Sequence, residues 1–257
     1  MLNPDTLLAL IVFAACASWL QTLTGFAFAL VFMSAITVTD TIGIEDGAII
    51  VTLLMVVNAV VILAAEWRFV SGPACRGILP PALAGTVAGA LILPVLLAKA
   101  AIWLKCALGV AVILSSLRLL RVPGGDDGPP GPFAYPLSGL AAGIMGGLFA
   151  VPGPPVVYTL QRHLRDQRRI RATLVTIFAV VSLARLTVTS LSSLPTRELL
   201  LTTLALLPVT IVATEAARRH PPPVSPQMAR VVTVLLLVLT GIVLVLPAVA
   251  SMRTVGN

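Results

Sequence analysis

Charge is scarce in this chain. Only 11% of its 257 residues are Asp, Glu, Lys or Arg, against roughly a quarter in a soluble domain, so no soluble domain of useful size is left outside its apolar stretches. Histidine is nearly missing. His163 and His220 are the two present, both in arginine-bearing connections, and both read as solvated loop residues rather than metal ligands. The three cysteines, Cys16, Cys75 and Cys106, lie far apart in or beside apolar stretches. With no CxxC or Cys/His spacing they read as packing residues, not as ligands or a disulfide framework. Also lacking are HExxH, GxSxG, a Walker loop, a dinucleotide fingerprint and paired carboxylates within an apolar run. These absences argue against an enzyme, and no cofactor or metal is expected.

What the chain has is apolar length. It is 58% hydrophobic with a mean hydropathy of +1.04. Eight runs reach membrane-spanning length, at 5–36, 44–65, 77–98, 101–119, 134–160, 172–193, 198–217 and 228–250. The expected fold is therefore an all-α polytopic membrane protein in a lipid bilayer. The formal charge of +7 comes mostly from arginines in short connections. That is the positive-inside pattern and not a nucleic-acid surface, which would interleave such charges with aromatics on a foldable domain. The N-terminus has an apolar core but no basic start, and it carries Asp5. It reads as the first membrane segment, not as a cleaved signal. The Pro/Gly-rich, charged stretch Arg121 to Pro132 reads as a linker. It divides an N-terminal membrane repeat, 1–120, from a C-terminal one, 134–257, with 121–133 between.

The halves share a layout. Each opens with a longer run containing poor helix formers, around Thr24-Gly25 in the first and from Gly146 to Pro155 in the second, and three ordinary runs follow. Charge suggests that the halves are inverted. The connection after the first run is acidic (Asp40, Glu45, Asp46), whereas its counterpart after the fifth holds Arg162, Arg165, Arg168, Arg169 and Arg171 against Asp166 alone. Both flanks of 134–160 would then face the cytoplasm, which a single crossing cannot do. Two half-helices of roughly 20 Å meeting at the Gly/Pro run would satisfy it, and 5–36 could do the same from outside. Eight plain crossings with one unusual charge placement are the alternative.

Within the runs, Arg185 stands out. An arginine inside a span costs about 2.5–3.5 kcal/mol on insertion scales, so it should face a polar interior. Its fork of donors suits an anion; the alternatives are snorkelling to the interface or capping carbonyls of a broken helix. Asn58 is either its polar counterpart or a packing residue. Gln21 and Thr24 precede the first break, Phe26 and Phe28 follow it, and Tyr158 follows the second. Half-helix N-termini carry free N–H groups and partial positive charge, so two of them converging make an anion site. Interhelical hydrogen bonding and close glycine packing are the plainer readings of the same residues.

The segment Gln21-Thr22-Leu23-Thr24-Gly25-Phe26-Ala27-Phe28-Ala29-Leu30 resembles the first repeat motif, Q-x-x-T-G-F-G-F-A-L, of the sulfite exporter TauE/SafE family. Gly146-Gly147-Leu148-Phe149-Ala150-Val151-Pro152-Gly153-Pro154-Pro155-Val156-Val157-Tyr158 resembles the second, G-G-L-F-G-I-G-G-P-P-x-V-x-Y. Ala27, Ala150 and Pro152 replace glycines of those patterns. The resemblance implies a secondary transporter, exporter in direction, of a small anion such as sulfite, a sulfonate or a related organic acid, in a prokaryotic plasma (inner) membrane. Alternating access would expose a substrate site built from Gln21, Thr24, Gly25, Phe26, Phe28, Asn58, Gly146, Gly147, Pro152, Gly153, Pro154, Pro155, Tyr158 and Arg185. Proton or sodium coupling and a homodimer are further expectations. An anion channel and a non-transporting membrane scaffold stay open as alternatives.

Overall fold

A computed structural model describes residues 4–39, 41–120, 130–192 and 196–219, with 234, 235 and 238 beyond them. Among the described residues every regular element is helical. The order is α1 (Pro4–Thr24), α2 (Ala27–Thr39), α3 (Ile44–Glu66), a short 3-10 turn (Trp67–Phe69), α4 (Gly72–Leu120), α5 (Ala134–Phe149), α6 (Gly153–His163), α7 (Gln167–Ser192) and α8 (Arg197–Arg219). Among the described residues, five stretches are long and apolar enough to cross a membrane: Pro4–Thr22, Glu45–Phe69, Gly72–Leu96, Gln167–Leu191 and Arg197–Arg219. The expected run 228–250 and the linker residues 121–129 lie outside the described residues, apart from the three already named.

Local chemistry sets the ends that matter. α1 stops where Gly25 turns to φ +83°, a conformation open to glycine and costly for residues with a Cβ. Its N–H still reaches the Gln21 carbonyl at 2.6 Å. The chain then restarts as α2, whose Phe28 N–H donates to the Gln21 Oε1 at 3.1 Å. Gln21 thus satisfies one of the donors that a helix start leaves open. α5 stops at Ala150, which takes φ +57° and donates its N–H to the Gly146 carbonyl at 3.0 Å. α6 begins at Gly153, with Pro154 and Pro155 in its first turn, where a missing N–H is harmless.

Glycine governs how α4 meets α5. A Cβ on Gly139 would fall against Ile78, one on Gly143 against the Ala82 backbone, and one on Gly147 against Thr86 and Ala90. In return, Cβ atoms on Gly85 and Gly89 would stand 2.6 Å from the Leu140 oxygen and 2.7 Å from the Ile144 oxygen. The backbones approach closely, as small residues at four-residue spacing allow in membranes. The paired positions rise together (78 with 139, 82 with 143, 86 with 147), so the start of α4 and α5 run parallel.

The expected runs 77–98 and 101–119 are one helix here. The sequence between them, Leu97-Ala98-Lys99-Ala100, contains only good helix formers and gives no stop. At ~1.5 Å per residue, the 49 residues of α4 would make a straight rod of about 74 Å. Chain length forbids that straightness. Gly77 packs on Tyr135, yet the fifteen bonds from Leu120 to Tyr135 span at most ~57 Å at 3.8 Å per Cα step, against about 65 Å of straight helix from Gly77 to Leu120. α4 therefore bends, and Pro94, inside it, has no N–H to lose at a kink.

Candidate functional site

One face of α7 gathers both helix interruptions. Arg171, Phe178, Val181 and Arg185 follow each other at steps of seven, three and four residues, which places them on a common stripe. At Gly25 a Cβ would stand 3.2 Å from the Arg171 Cα. At Gly146 it would meet Val181 at 2.7 Å. At Gly153 it would lie 3.7 Å from Phe26 and 3.8 Å from Phe178. Phe26 of the first motif thus faces Gly153 of the second directly, with Phe178 beside both.

An arginine stands at each end of this stripe, about 21 Å apart along the helix. Arg185 is 2% exposed. Its Nε donates to the Gly147 carbonyl at 3.1 Å, and its Nη1 donates to the Ala48 carbonyl at 3.2 Å and the Thr52 hydroxyl at 3.1 Å. All three acceptors are neutral. Among the described residues no carboxylate bonds to this guanidinium, and its Nη2 makes no hydrogen bond. Its hydrogen-bond partners carry no charge, and the carboxylate that acts on it electrostatically, Glu45 in the first turn of α3, does so without a hydrogen bond, so its desolvation is offset only from a distance.

Arg171 is compensated. Its Nε donates to Glu66 at 2.9 Å and its Nη2 to the other oxygen of the same carboxylate. Its Nη1 donates to the Thr22 carbonyl at 3.1 Å. Thr22 precedes the end of α1 by two residues, as Gly147 precedes the end of α5. Each arginine therefore holds an otherwise open carbonyl in the last turn before an interruption, a capping role suited to a cation.

The remaining expected site residues divide. Phe28 is fully buried and stacked on Phe32 at 6.0 Å. Thr24 donates its hydroxyl to the Leu20 carbonyl at 2.7 Å and receives the Phe26 N–H at 3.4 Å. Pro152 is buried against Gly146. Asn58 lies between α3 and α8, where its Oδ1 accepts the Thr214 hydroxyl at 3.1 Å and its Nδ2 has no partner among the described residues. Pro155 and Tyr158 line a cavity of about 380 Å³ between α5 and α6, shared with Ser138, Thr159, Arg162 and His163. The Tyr158 hydroxyl accepts from Arg162 there, at 3.3 Å. Pro154 sits in the first turn of α6. The structure thus brings Gly25, Phe26, Gly146, Gly147, Gly153 and Arg185 to the α7 stripe, gives Gln21 and Thr24 to the α1–α2 turn, and places Asn58 and Tyr158 elsewhere.

Sequence reasoning missed the Arg171–Glu66 pair and, at the other end of the stripe, Thr52 beside Arg185. Arg171 reads as one more charge in a basic connection and Glu66 as a span-end acid. The available signal was the fourteen-residue interval from Arg171 to Arg185, two heptads on one helix face. Among the described residues, no cluster of three His, Cys, Asp or Glu side chains could hold a metal.

The family described as sulfite exporter TauE/SafE matches residues 10–244. A protein of Cupriavidus necator named "Probable sulfite/organosulfonate exporter TauE" is 28% identical over 250 residues, covering 95% of this chain and 96% of that protein. No solved structure matches the chain. With the family match extending over most of its length, the chain belongs to the sulfite exporter TauE/SafE family of membrane exporters, which are not enzymes.

Proposed function

We propose that this chain is a secondary transporter, working as an exporter, of a small oxyanion: sulfite, a sulfonate or a related organic acid. Membership of the family and five apolar spans make it a multi-pass membrane protein, placed in the inner membrane in a bacterium. The relative's printed name supplies the substrate class. The observation that carries the reading is Arg185, a buried guanidinium bonded only to neutral groups, with one amino group unbonded among the described residues. An oxyanion at that amino group provides a negative charge in direct contact, which Glu45 supplies only at a distance, and a charge-assisted hydrogen bond.

In this reading the two halves, 1–120 and 134–257, are inverted repeats, and the helix interruptions at Gly25 and Ala150 flank the path. The contact between Phe26 and Gly153 is where one half moves against the other as access alternates. α6 is a weaker anion trap than a generic half-helix, because Pro154 and Pro155 remove two of its first-turn donors. The guanidinium is therefore assigned the main part. An inside-negative potential drives an anion outward by about 2.3 kcal/mol per charge per 100 mV, which favours export.

The test is uptake and efflux in proteoliposomes, together with binding, over sulfite, sulfate, thiosulfate, sulfoacetate, taurine and short carboxylates. Wild type should show saturable flux of at least one sulfur oxyanion. Arg185→Gln should weaken its binding at least about tenfold, the loss expected for a hydrogen bond to a charged group, and Arg185→Lys should fall between. A wild type that responds to none of the panel overturns the reading. Flux that never saturates points to a channel instead.

A further inference from the structure

The Arg171–Glu66 pair has the form of an occupied oxyanion site. Glu66 presents both carboxylate oxygens to two nitrogens of one guanidinium, the bidentate arrangement in which arginine also takes a sulfonate or sulfite. The pair is reachable, with the Arg171 side chain 27% exposed and Glu66 12% exposed. It adjoins the first interruption directly, since Arg171 packs on Gly25 and bonds the Thr22 carbonyl. The surrounding charge attracts anions. Arg168 and Arg169 lie in the first turn of α7, and Arg218 of α8 acts electrostatically on Glu66 while it is itself bonded to Glu215. Further along the same helix face stands Arg185, which has the same carbonyl-capping contact but, among the described residues, no hydrogen-bonded carboxylate.

We propose that Arg171 is a second oxyanion station on the transport path and that Glu66 is its built-in competitor. A substrate at this mouth displaces the carboxylate from Arg171, and the return of Glu66 expels the substrate. The pair thereby loads and clears one end of the stripe whose other end is Arg185. The inference rests on the anion-carrier reading but makes a separate claim: the internal carboxylate keeps the second station empty at rest.

Removing the competitor decides it. Equilibrium dialysis of the full chain in lipid-free detergent, with isethionate or sulfite as probe, counts the anions bound; repeating it with added anionic phospholipid separates soluble oxyanion from lipid phosphate. Wild type should bind one anion per chain and Glu66→Gln two, and the Glu66→Gln, Arg171→Gln double variant should return to one. In proteoliposomes Glu66→Gln should lower KM and the maximal rate together, each by about tenfold, within the usual range for coupling between sites; a purely structural role gives no tighter substrate engagement. Should Glu66→Gln fail to fold, Glu66→Asp, whose shorter arm loosens the hold, should move KM and rate the same way with smaller amplitude. A stoichiometry of one with unchanged KM in the Glu66 variants overturns the second station while leaving the Arg185 reading intact. Binding by Glu66→Gln but not by wild type supports the second station and defeats the Arg185 reading. Absence of binding in both defeats both.

Discussion

Among the described residues, two with left-handed backbone, Gly25 and Ala150, interrupt helices within apolar runs, and they carry different costs. Gly25, at φ +83°, is also pressed by Arg171, whose Cγ would lie 3.1 Å from an added Cβ. Gly25→Ala combines a left-handed penalty of roughly 1–2 kcal/mol with displacement of the arginine that caps α1. We expect a loss of about 2 kcal/mol or more, read as a lower melting temperature in detergent, with flux reduced in parallel. Ala150 holds φ +57° at a position where the resembling motif has glycine. Restoring glycine would relieve about 1–2 kcal/mol of strain. It would also forfeit about 0.8 kcal/mol of methyl burial and about 0.5–1 kcal/mol of backbone entropy. The terms nearly cancel, so Ala150→Gly should melt within a few degrees of wild type, whereas β-branched Ala150→Val should melt well below it. A large rise for Ala150→Gly would show that the alanine is severely strained. The positions of both turns were legible in the sequence as glycine and proline within apolar runs. The partners of Arg185 were not, because Ala48, Thr52 and Gly147 lie on other helices and carry no mark of their shared contact.

At the scale of elements, the parallel packing of α4 on α5 is the most demanding contact, since a Cβ on Gly143 would lie 2.8 Å from the Ala82 carbonyl carbon. Backbone cannot yield as a flexible side chain can. Gly143→Leu should therefore reach or exceed the upper end of overpacking costs, about 3 kcal/mol, and appear as loss of the monodisperse folded peak in size exclusion. Gly72→Ala, with nothing within 4 Å of the added methyl, is the matched control and should be silent. A Gly143→Leu protein that melts like wild type would mean that the two helices do not touch there. The sequence displayed these glycines at four-residue spacing but gave no partner and no direction, because small residues mark a close approach without naming what approaches. The continuity of α4 escaped for the opposite reason. Apolar length separates runs by hydropathy, yet Leu97 to Ala100 has the propensity to stay helical.

For the whole molecule, pairwise contacts constrain sidedness. Ser71, following α3, receives its neighbour from the start of α7, its N–H donating to the Thr173 hydroxyl at 2.9 Å. Near the other end of α3, Ala48 meets Arg185, so α3 and α7 run antiparallel. α4 begins at Gly72, beside that junction, and Gly77 packs on Tyr135 at the start of α5. The start of α5 and the start of α7 therefore lie at one end of the bundle, although α5 and α6 intervene. At ~1.5 Å per residue α5 reaches about 24 Å and α6 about 17 Å, each short of the roughly 30 Å hydrocarbon thickness. A path that enters, turns at Ala150 and leaves on the same side fits both lengths. Reporter insertions at Asp127 and Asp166 should accordingly read the same side, the cytoplasm by the arginine excess of the flanking connections. An insertion at Gly43, before the 23 residues of α3, should read the opposite side. Because Gly25 adjoins Arg171 at the arginine-rich end of α7, an N-terminal reporter should agree with Gly43. Opposite readings at Asp127 and Asp166 would make 134–160 a plain crossing. The Gly147 carbonyl would then need an acceptor role other than closing a re-entrant turn, and the inverted-repeat description of the path would fall with it.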